Sequence, residues 1–350
     1  MSVLVTGGAG YIGSHMVWEL VDQGEDLVVL DNLVTGFSWA VAPGVKLVVG
    51  DIADRVLVER IIRENNVDAI IHFAGSVVVP ESLKKPLKYY DNNTGRTGTL
   101  LQTAVRCGVE QFIFSSTAAV YAPPTNLDPI REDALLNPLS PYGSSKLMSE
   151  VMVRDTAEAH GLRYVMLRYF NVAGADPKGR TGLSTVGATH VVKLACEAAV
   201  GKRDRFEVYG TDYATEDGSA VRDFIHVSDL ANAHYVALKF LRSGGRKFTG
   251  NCGYSRGYSV LDVVDSVKRI SGKDFHIVLG KRREGDIPAI VADSSRMMSR
   301  LNWVPKHDNL DQIVAHALNW EHKLMAKTLD TPPLQPEDEL FVQPQDLFVS

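Results

Sequence analysis

Tyr142 and Lys146 stand four residues apart in PYGSSKLMSE, at the start of a helical pattern that follows Pro141, so both side chains project from one face. A phenol with a pKa of about 10 is a poor base at neutral pH, but an ammonium beside it favours the phenolate. Such a pair can take a proton from an alcohol. Most pairs with this spacing are solvated surface residues. This one follows FIFSSTAAVY, where Ser115, Ser116 and Thr117 end a buried apolar run beginning at Phe112. Hydroxyls at the carboxyl end of a parallel strand open onto the crevice where such sheets bind ligands. One of the three can hold the reacting oxygen; otherwise they cap the strand and the next turn.

A second pattern opens the chain. Gly7, Gly10 and Gly13 in TGGAGYIGS follow the apolar run Ser2 to Thr6 and lead into a helical pattern through Gln23. Glycines so placed permit a tight turn, a close backbone approach to a pyrophosphate, and a helix N-terminus aimed at the anion. The next apolar run ends in Asp31, about 20 residues on, where a carboxylate accepts bonds from adenosine ribose hydroxyls and favours NAD over NADP. Asp51 ends the third run and can reach the adenine.

The elements that must position these groups are short apolar runs between helical patterns: Ser2 to Thr6, Leu27 to Asp31, Lys46 to Asp51, Ala69 to Phe73, Phe112 to Ser115 and Tyr164 to Phe170. Continuous rather than alternating apolarity marks strands buried on both faces. The expected fold is therefore α/β, a Rossmann-like doubly wound parallel sheet, with a smaller C-terminal substrate-binding lobe. The rhythm breaks near residue 170. Residues 1–170 read as the dinucleotide half, with later chain able to cross back, 171–325 as the substrate lobe, and 326–350, rich in Pro and acid, as a flexible tail. A net charge of −5 with no basic face disfavours nucleic acid. Cys107, Cys196 and Cys252 are odd in number and far apart, against a disulfide framework or a thiolate metal site. No apolar stretch reaches the ~18 residues of a membrane span and no targeting segment precedes the glycine motif, so the cytoplasm is the expected compartment. The ten His carry no metal-site spacing, and no metal is expected.

Together, TGGAGYIGS, Asp31-Asn32, HFAG at 72–75, DNN at 91–93, FIFSSTAAVY, PYGSSK, LRYFNVAGA, VRDFIHVSDLA, SVLDV and RREGD make a chain that resembles the extended short-chain dehydrogenase/reductase family from Ser2 to about Leu324. The resemblance implies that Tyr142 is the base, that Lys146 tunes it, and that Thr117 supplies the active-site hydroxyl. It implies cofactor contacts from Tyr11, Ile12, Asp31, Asn32, Gly36, Asp51, Ile52, Phe73, Ala74, Gly75, Asn92 and Phe170, besides Tyr142 and Lys146. Val77 departs from the pattern where some members carry a cofactor-touching Lys. The nucleotide end of a UDP-sugar would meet Asn171, His190, Arg222 and Arg283, with Asp286 on the uridine ribose, Glu207, Val208 and Tyr209 along the uracil, and Ile290 bordering the sugar C2 substituent.

The activity so implied is interconversion of UDP-glucose and UDP-galactose through a transient 4-keto sugar with bound NAD, in an expected homodimer. Epimerisation of another UDP-sugar is the alternative. Dehydratases and decarboxylases of the family carry acids just after the active-site Thr, whereas this chain has Ala118 and Ala119 there. A silent NAD-binding scaffold sits poorly with an intact Thr117, Tyr142 and Lys146.

Overall fold

The computed structural model describes residues 1–124, 126–283 and 286–330. In chain order its strands are β1 (Ser2–Thr6), β2 (Leu27–Asp31), β3 (Lys46–Val49), β4 (Val67–His72), β5 (Gln111–Ser115), β6 (Arg163–Tyr169), β7 (Asn171–Ala173), β8 (Phe206–Tyr209), β9 (Val221–Arg222), β10 (Phe224–His226), β11 (Lys247–Cys252), β12 (Tyr258–Ser259), β13 (Ile277–Gly280) and β14 (Ala289–Ile290). Seven of them make one sheet in the order β11-β6-β5-β4-β1-β2-β3, every neighbouring pair parallel. The fold is the Rossmann-like α/β arrangement the apolar runs predict. Strand order reverses between β1 and β4, and the crevice beyond the carboxyl ends there is the ligand site of such sheets.

Alternation along each buried strand divides the core. Val3, Val5, Val29, Ile71, Ile113 and Val165 face the helices Tyr11–Asp22 and Val227–Arg242, while Leu4, Val28, Leu30, Ile70, Phe112 and Phe114 face Arg55–Glu64, Arg96–Arg106 and Pro141–His160. Two strand ends differ from the sequence reading by two residues, and the others by one at most. β3 stops at Val49, leaving Asp51 in the following turn, and β4 begins two residues early at Val67.

Beyond β6 the chain forms small sheets, β10-β7, β12-β9-β14 and β13-β8, and returns to the main sheet only with β11, which pairs along β6. Two buried carboxylates tie this half together. Asp223 accepts backbone N–H bonds from Tyr254, Ser255 and Ala292, and Asp229 accepts from Lys306, His307 and the Tyr254 hydroxyl. The last helix, Leu310–Asp330, packs on helices Val191–Ala199 and Val260–Ser271. It continues to Asp330, so the expected tail boundary at 326 falls inside a helix, and residues 331–350 lie outside the described residues. Among the described residues no helix is long and apolar enough to cross a membrane, and the three cysteines are free.

Candidate active site

Gly7 has φ +72°, and a Cβ there would fall 2.6 Å from the backbone nitrogen of Ala74. Only glycine lets the loop after β1 approach the loop after β4 so closely. Gly10 is the N-cap of helix Tyr11–Asp22 without a side-chain cap, and the first turn holds no acid; its N–H groups have no partner four residues back. Gly13 packs against the Gly7 carbonyl. A positive, uncapped helix end over a tight turn seats a pyrophosphate, and on that ground these residues fit a dinucleotide. The Tyr11 hydroxyl donates to the Gly174 carbonyl at 2.7 Å, and Ile12 packs on the adjoining core.

At the tip of β2, Asp31 accepts from the backbone N–H of Ala9 at 2.9 Å and of Leu33 at 2.8 Å. Both oxygens keep a lone pair for ribose hydroxyls. Asn32 is exposed and accepts from the Val34 N–H; Gly36 packs against Ala9. Asp51 accepts from the Ala53 N–H and is paired with Arg96, which also meets Asp91 at 3.2 Å, while Ile52 is buried beside it. The sequence reading leaves Asp51 free toward an adenine and misses Arg96, whose tie to it spans 45 positions.

Phe73, Ala74 and Gly75 lead out of β4, with the Phe73 N–H on the Thr6 carbonyl and the Phe73 ring 4.7 Å from His234. Opposite them is a π-helical turn, Tyr90–Gly95, a form that recurs at functional sites. Asn92 donates to the Ser76 hydroxyl at 3.0 Å. Asn93, which sequence reasoning passes over, spans further: its oxygen accepts from the Ser76 N–H, and its amide donates to the Ser76 carbonyl and the Ser145 hydroxyl. It thereby joins the loop after β4 to the helix of Tyr142.

The three hydroxyls at the end of β5 part company. Ser115 donates to the Tyr169 hydroxyl at 3.2 Å, Ser116 to Glu150 at 2.5 Å, and Thr117 caps the following turn while its hydroxyl stands beside the Tyr142 phenol. Tyr142 and Lys146 lie in the first two turns of helix Pro141–His160, N-capped by Ser140. Gly143 between them has no room for a Cβ, which would collide with the Ala119 carbonyl oxygen. Burial pushes the Tyr142 phenol above its ordinary pKa, and the Thr117 hydroxyl pulls it back. Burial also brings the Lys146 ammonium down to about 8, with the Glu150 carboxylate opposing. Its Nζ stands 4.4 Å from the centroid of the Phe114 ring. Lost hydration, rather than the ammonium the sequence reading places beside the phenol, is thus the largest influence on Tyr142.

Phe170 is buried with Ala118, Val120 and Tyr121, and Ile290 packs on that cluster. β14 lies parallel to β9 with Ile290 level with Arg222. Arg222, Asp286 and Arg283 converge: Asp286 accepts from Arg283 at 3.0 Å and lies 3.9 Å from Arg222, and the Arg283 guanidinium stacks 4.7 Å from the Tyr209 ring. Glu207 accepts from Tyr209 and Arg205, Val208 is core, and Asn171 donates its N–H to the Asp223 carbonyl. His190 lies apart from this group, edge-on to Tyr11 with ring centroids 6.2 Å apart and a buried, unpartnered Nδ1. Val77 is exposed. His226, His307 and His316 cluster closely enough to hold a metal ion. The Nδ1 of His226 accepts from the Ser228 N–H, however, so its Nε2 carries the hydrogen and donates to His316 at 2.9 Å; that nitrogen has no free lone pair for a metal.

The model of the NAD dependent epimerase/dehydratase family matches residues 3–253. The chain belongs to the NAD dependent epimerase/dehydratase family. Among curated members of that epimerase/dehydratase family, a UDP-glucose 4-epimerase of Azospirillum brasilense is 54% identical over 322 residues, 92% of each chain. A UDP-glucose 4-epimerase from Brucella ovis, crystallised in complex with NAD, superimposes with a TM-score of 0.88 at 43% identity, covering 91% of this chain and 97% of its own. Another, from Bifidobacterium longum in complex with NAD+ and UDP, gives 0.86 at 38% identity over 92% and 98%.

Proposed function

We infer that this protein interconverts UDP-glucose and UDP-galactose by reversible oxidation at C4 of the hexose, with NAD as cofactor. The observation that carries the reading is the burial of Thr117, Tyr142 and Lys146 together beside the glycine loop, at the carboxyl ends of the sheet. When bound, NAD supplies the hydride acceptor that no side chain can provide. Tyr142 takes the proton from the sugar O4 and gives it back after the hexose has turned. Thr117 holds that oxygen against the phenol, and Lys146 supplies the positive charge that favours the phenolate. Arg222 and Arg283 grip the diphosphate, since a guanidinium fork matches anionic oxygens, and Asp286 orients them and the uridine ribose. With binding concentrated on UDP, the hexose can present either face. Residues 1–170 serve as the NAD half and 171–325 as the UDP-sugar lobe, β11 crossing back between them.

Ala118 and Ala119 leave no acid to drive elimination at C5 or C6, which favours epimerisation over dehydration. A homodimer belongs to the same reading: Met148 and Val151, three apart on the helix of Tyr142, are exposed apolar side chains that a second copy would cover. The cytoplasm is the compartment we propose, and Cys107, Cys196 and Cys252, all free, suit a reducing one. Incubation with UDP-glucose, UDP-galactose and their N-acetylated counterparts, followed by NMR of the sugar C4 proton, tests the activity. Conversion of UDP-glucose is expected; recovery of every sugar unchanged from protein holding NAD defeats the assignment.

A further inference from the structure

Glu150 lies one turn beyond Lys146 on the same helix and is buried against Arg168 of β6. The pair is bidentate, with Arg168 Nε 2.9 Å from one carboxylate oxygen and Nη2 2.7 Å from the other. Ser116, the residue before Thr117, donates to the same carboxylate at 2.5 Å. Arg168 spends its remaining donor on the Tyr121 hydroxyl at 3.0 Å and the Glu132 carbonyl at 3.2 Å, and Tyr121 donates in turn to Asn251 at 2.7 Å. Two charges so deep in the protein need every partner to offset lost hydration, and a hydrophobic pair of equal volume is often as stable. Stability alone is therefore a weak reason for them. What they join is specific: the helix of Tyr142 and Lys146, the turn of Thr117, and strand β6 beside β5.

We propose that Glu150 and Arg168 are positioning residues of the reaction, fastening Thr117 to the helix that carries Tyr142 and holding a negative charge one turn from Lys146. The inference rests on the acid–base reading of Tyr142 and Lys146. Lys146 sits over the Phe114 ring and within electrostatic reach of His72 of β4 and of Glu150, with Tyr142 one turn before it on the helix and Tyr169 of β6 in reach of Tyr142. Of these only Glu150 is negative, so it alone counters the burial that draws the ammonium down. Without that carboxylate Lys146 loses its proton at lower pH, and the phenolate loses its counter-charge with it.

The test compares pH profiles of kcat and KM for wild-type holoenzyme, Glu150→Gln, and Glu150→Gln/Arg168→Met, with UDP-galactose as substrate. Glu150→Gln should carry the alkaline limb of kcat to lower pH by about one unit, the scale expected when an opposite charge a few ångströms away is removed. KM should stay near wild type. The double variant removes both charges, folds even if a lone buried Arg168 does not, and should also lie below wild type. An alkaline limb that coincides with wild type in whichever variant folds, whatever the rate, overturns the proposal. Wild-type protein with no turnover, or Tyr142→Phe with full turnover, would instead fault the reading on which it rests.

Discussion

At the residue scale the chemistry depends on what each buried polar group still has free. Tyr142 is desolvated, and its hydroxyl meets that of Thr117. Tyr142→Phe is expected to keep the fold and the bound NAD and to cut turnover by roughly 10² to 10⁴, the usual contribution of a positioned acid/base; steady-state rates beside cofactor content check this. Asp31 spends one lone pair of each oxygen on the glycine loop and its own turn, leaving the rest, with its charge, for the ribose proposed to bind there. A 2′-phosphate there meets a fixed negative charge, so NAD should bind more tightly than NADP, and Asp31→Asn should narrow the gap in a fluorescence titration. Ile290, stiff at Cβ, packs on the cluster of Phe170 and Ala118. We expect efficient use of the plain hexoses and weak use of UDP-N-acetylglucosamine, since overfilling a pocket costs about 1 to 3 kcal/mol. Ile290→Ala should then raise kcat/KM for the acetamido sugar more than for UDP-glucose; equal changes would take Ile290 out of the C2 pocket.

At the scale of elements, the active site is an agreement between the turn after β5 and the first turns of helix Pro141–His160. Gly143 decides how near they come, because any side chain there strikes the Ala119 carbonyl. Glycine costs a helix about 1 kcal/mol relative to alanine, so its presence between Tyr142 and Lys146 is a local signal of close approach that the sequence reading did not use. Gly143→Ala should gain helix propensity and yet lower turnover by at least about tenfold, because displacement of a positioned group by about an ångström has that scale of effect. Circular dichroism and kinetics on the same sample separate the two. Helical content falling in step with activity would mean the helix itself fails. Asn93 makes a comparable link from the π-helical turn, but its partners Ser76 and Ser145 are 17 and 52 residues away, beyond any local pattern.

For the whole molecule, buried histidines set the acid limit. Burial penalises the imidazolium and brings His15, His190 and His234 down to about 4, His72 to about 3, and His226 well below its ordinary value. Unfolded, all five titrate at about 6.5. Below that pH the unfolded chain takes up protons that the folded one refuses, so stability is complete above about pH 6.5 and is lost as pH falls toward the folded values, by up to about 1.4 kcal/mol per unit for each group. Thermal unfolding should therefore show Tm falling steeply from about pH 6.5 to about pH 5, with several protons bound on unfolding. A flat Tm across that window would mean that these rings are hydrated in the folded protein.

The sequence by itself determined the elements whose signals are local. Buried parallel strands are continuous in Val and Ile, so β1 and β2 are read to the residue and β4, β5 and β6 to within two; helix spacing puts Tyr142 and Lys146 on one face; and the glycine triplet locates the tight turn between β1 and the first helix. Only the tertiary structure decided that Ser115 and Ser116 turn to Tyr169 and Glu150 while Thr117, as the resemblance implies, meets Tyr142, that Asp51 is held by Arg96, and that Glu150 is buried against Arg168. It also set the last helix running to Asp330, where composition predicts a tail. The reason is physical: a strand or a turn is chosen by neighbours a few residues apart, whereas a carboxylate's partner is chosen by how two elements pack. Nothing in the residues around Glu150 tells a buried ion pair from a solvated one, because desolvation belongs to the packed molecule and to no segment of it.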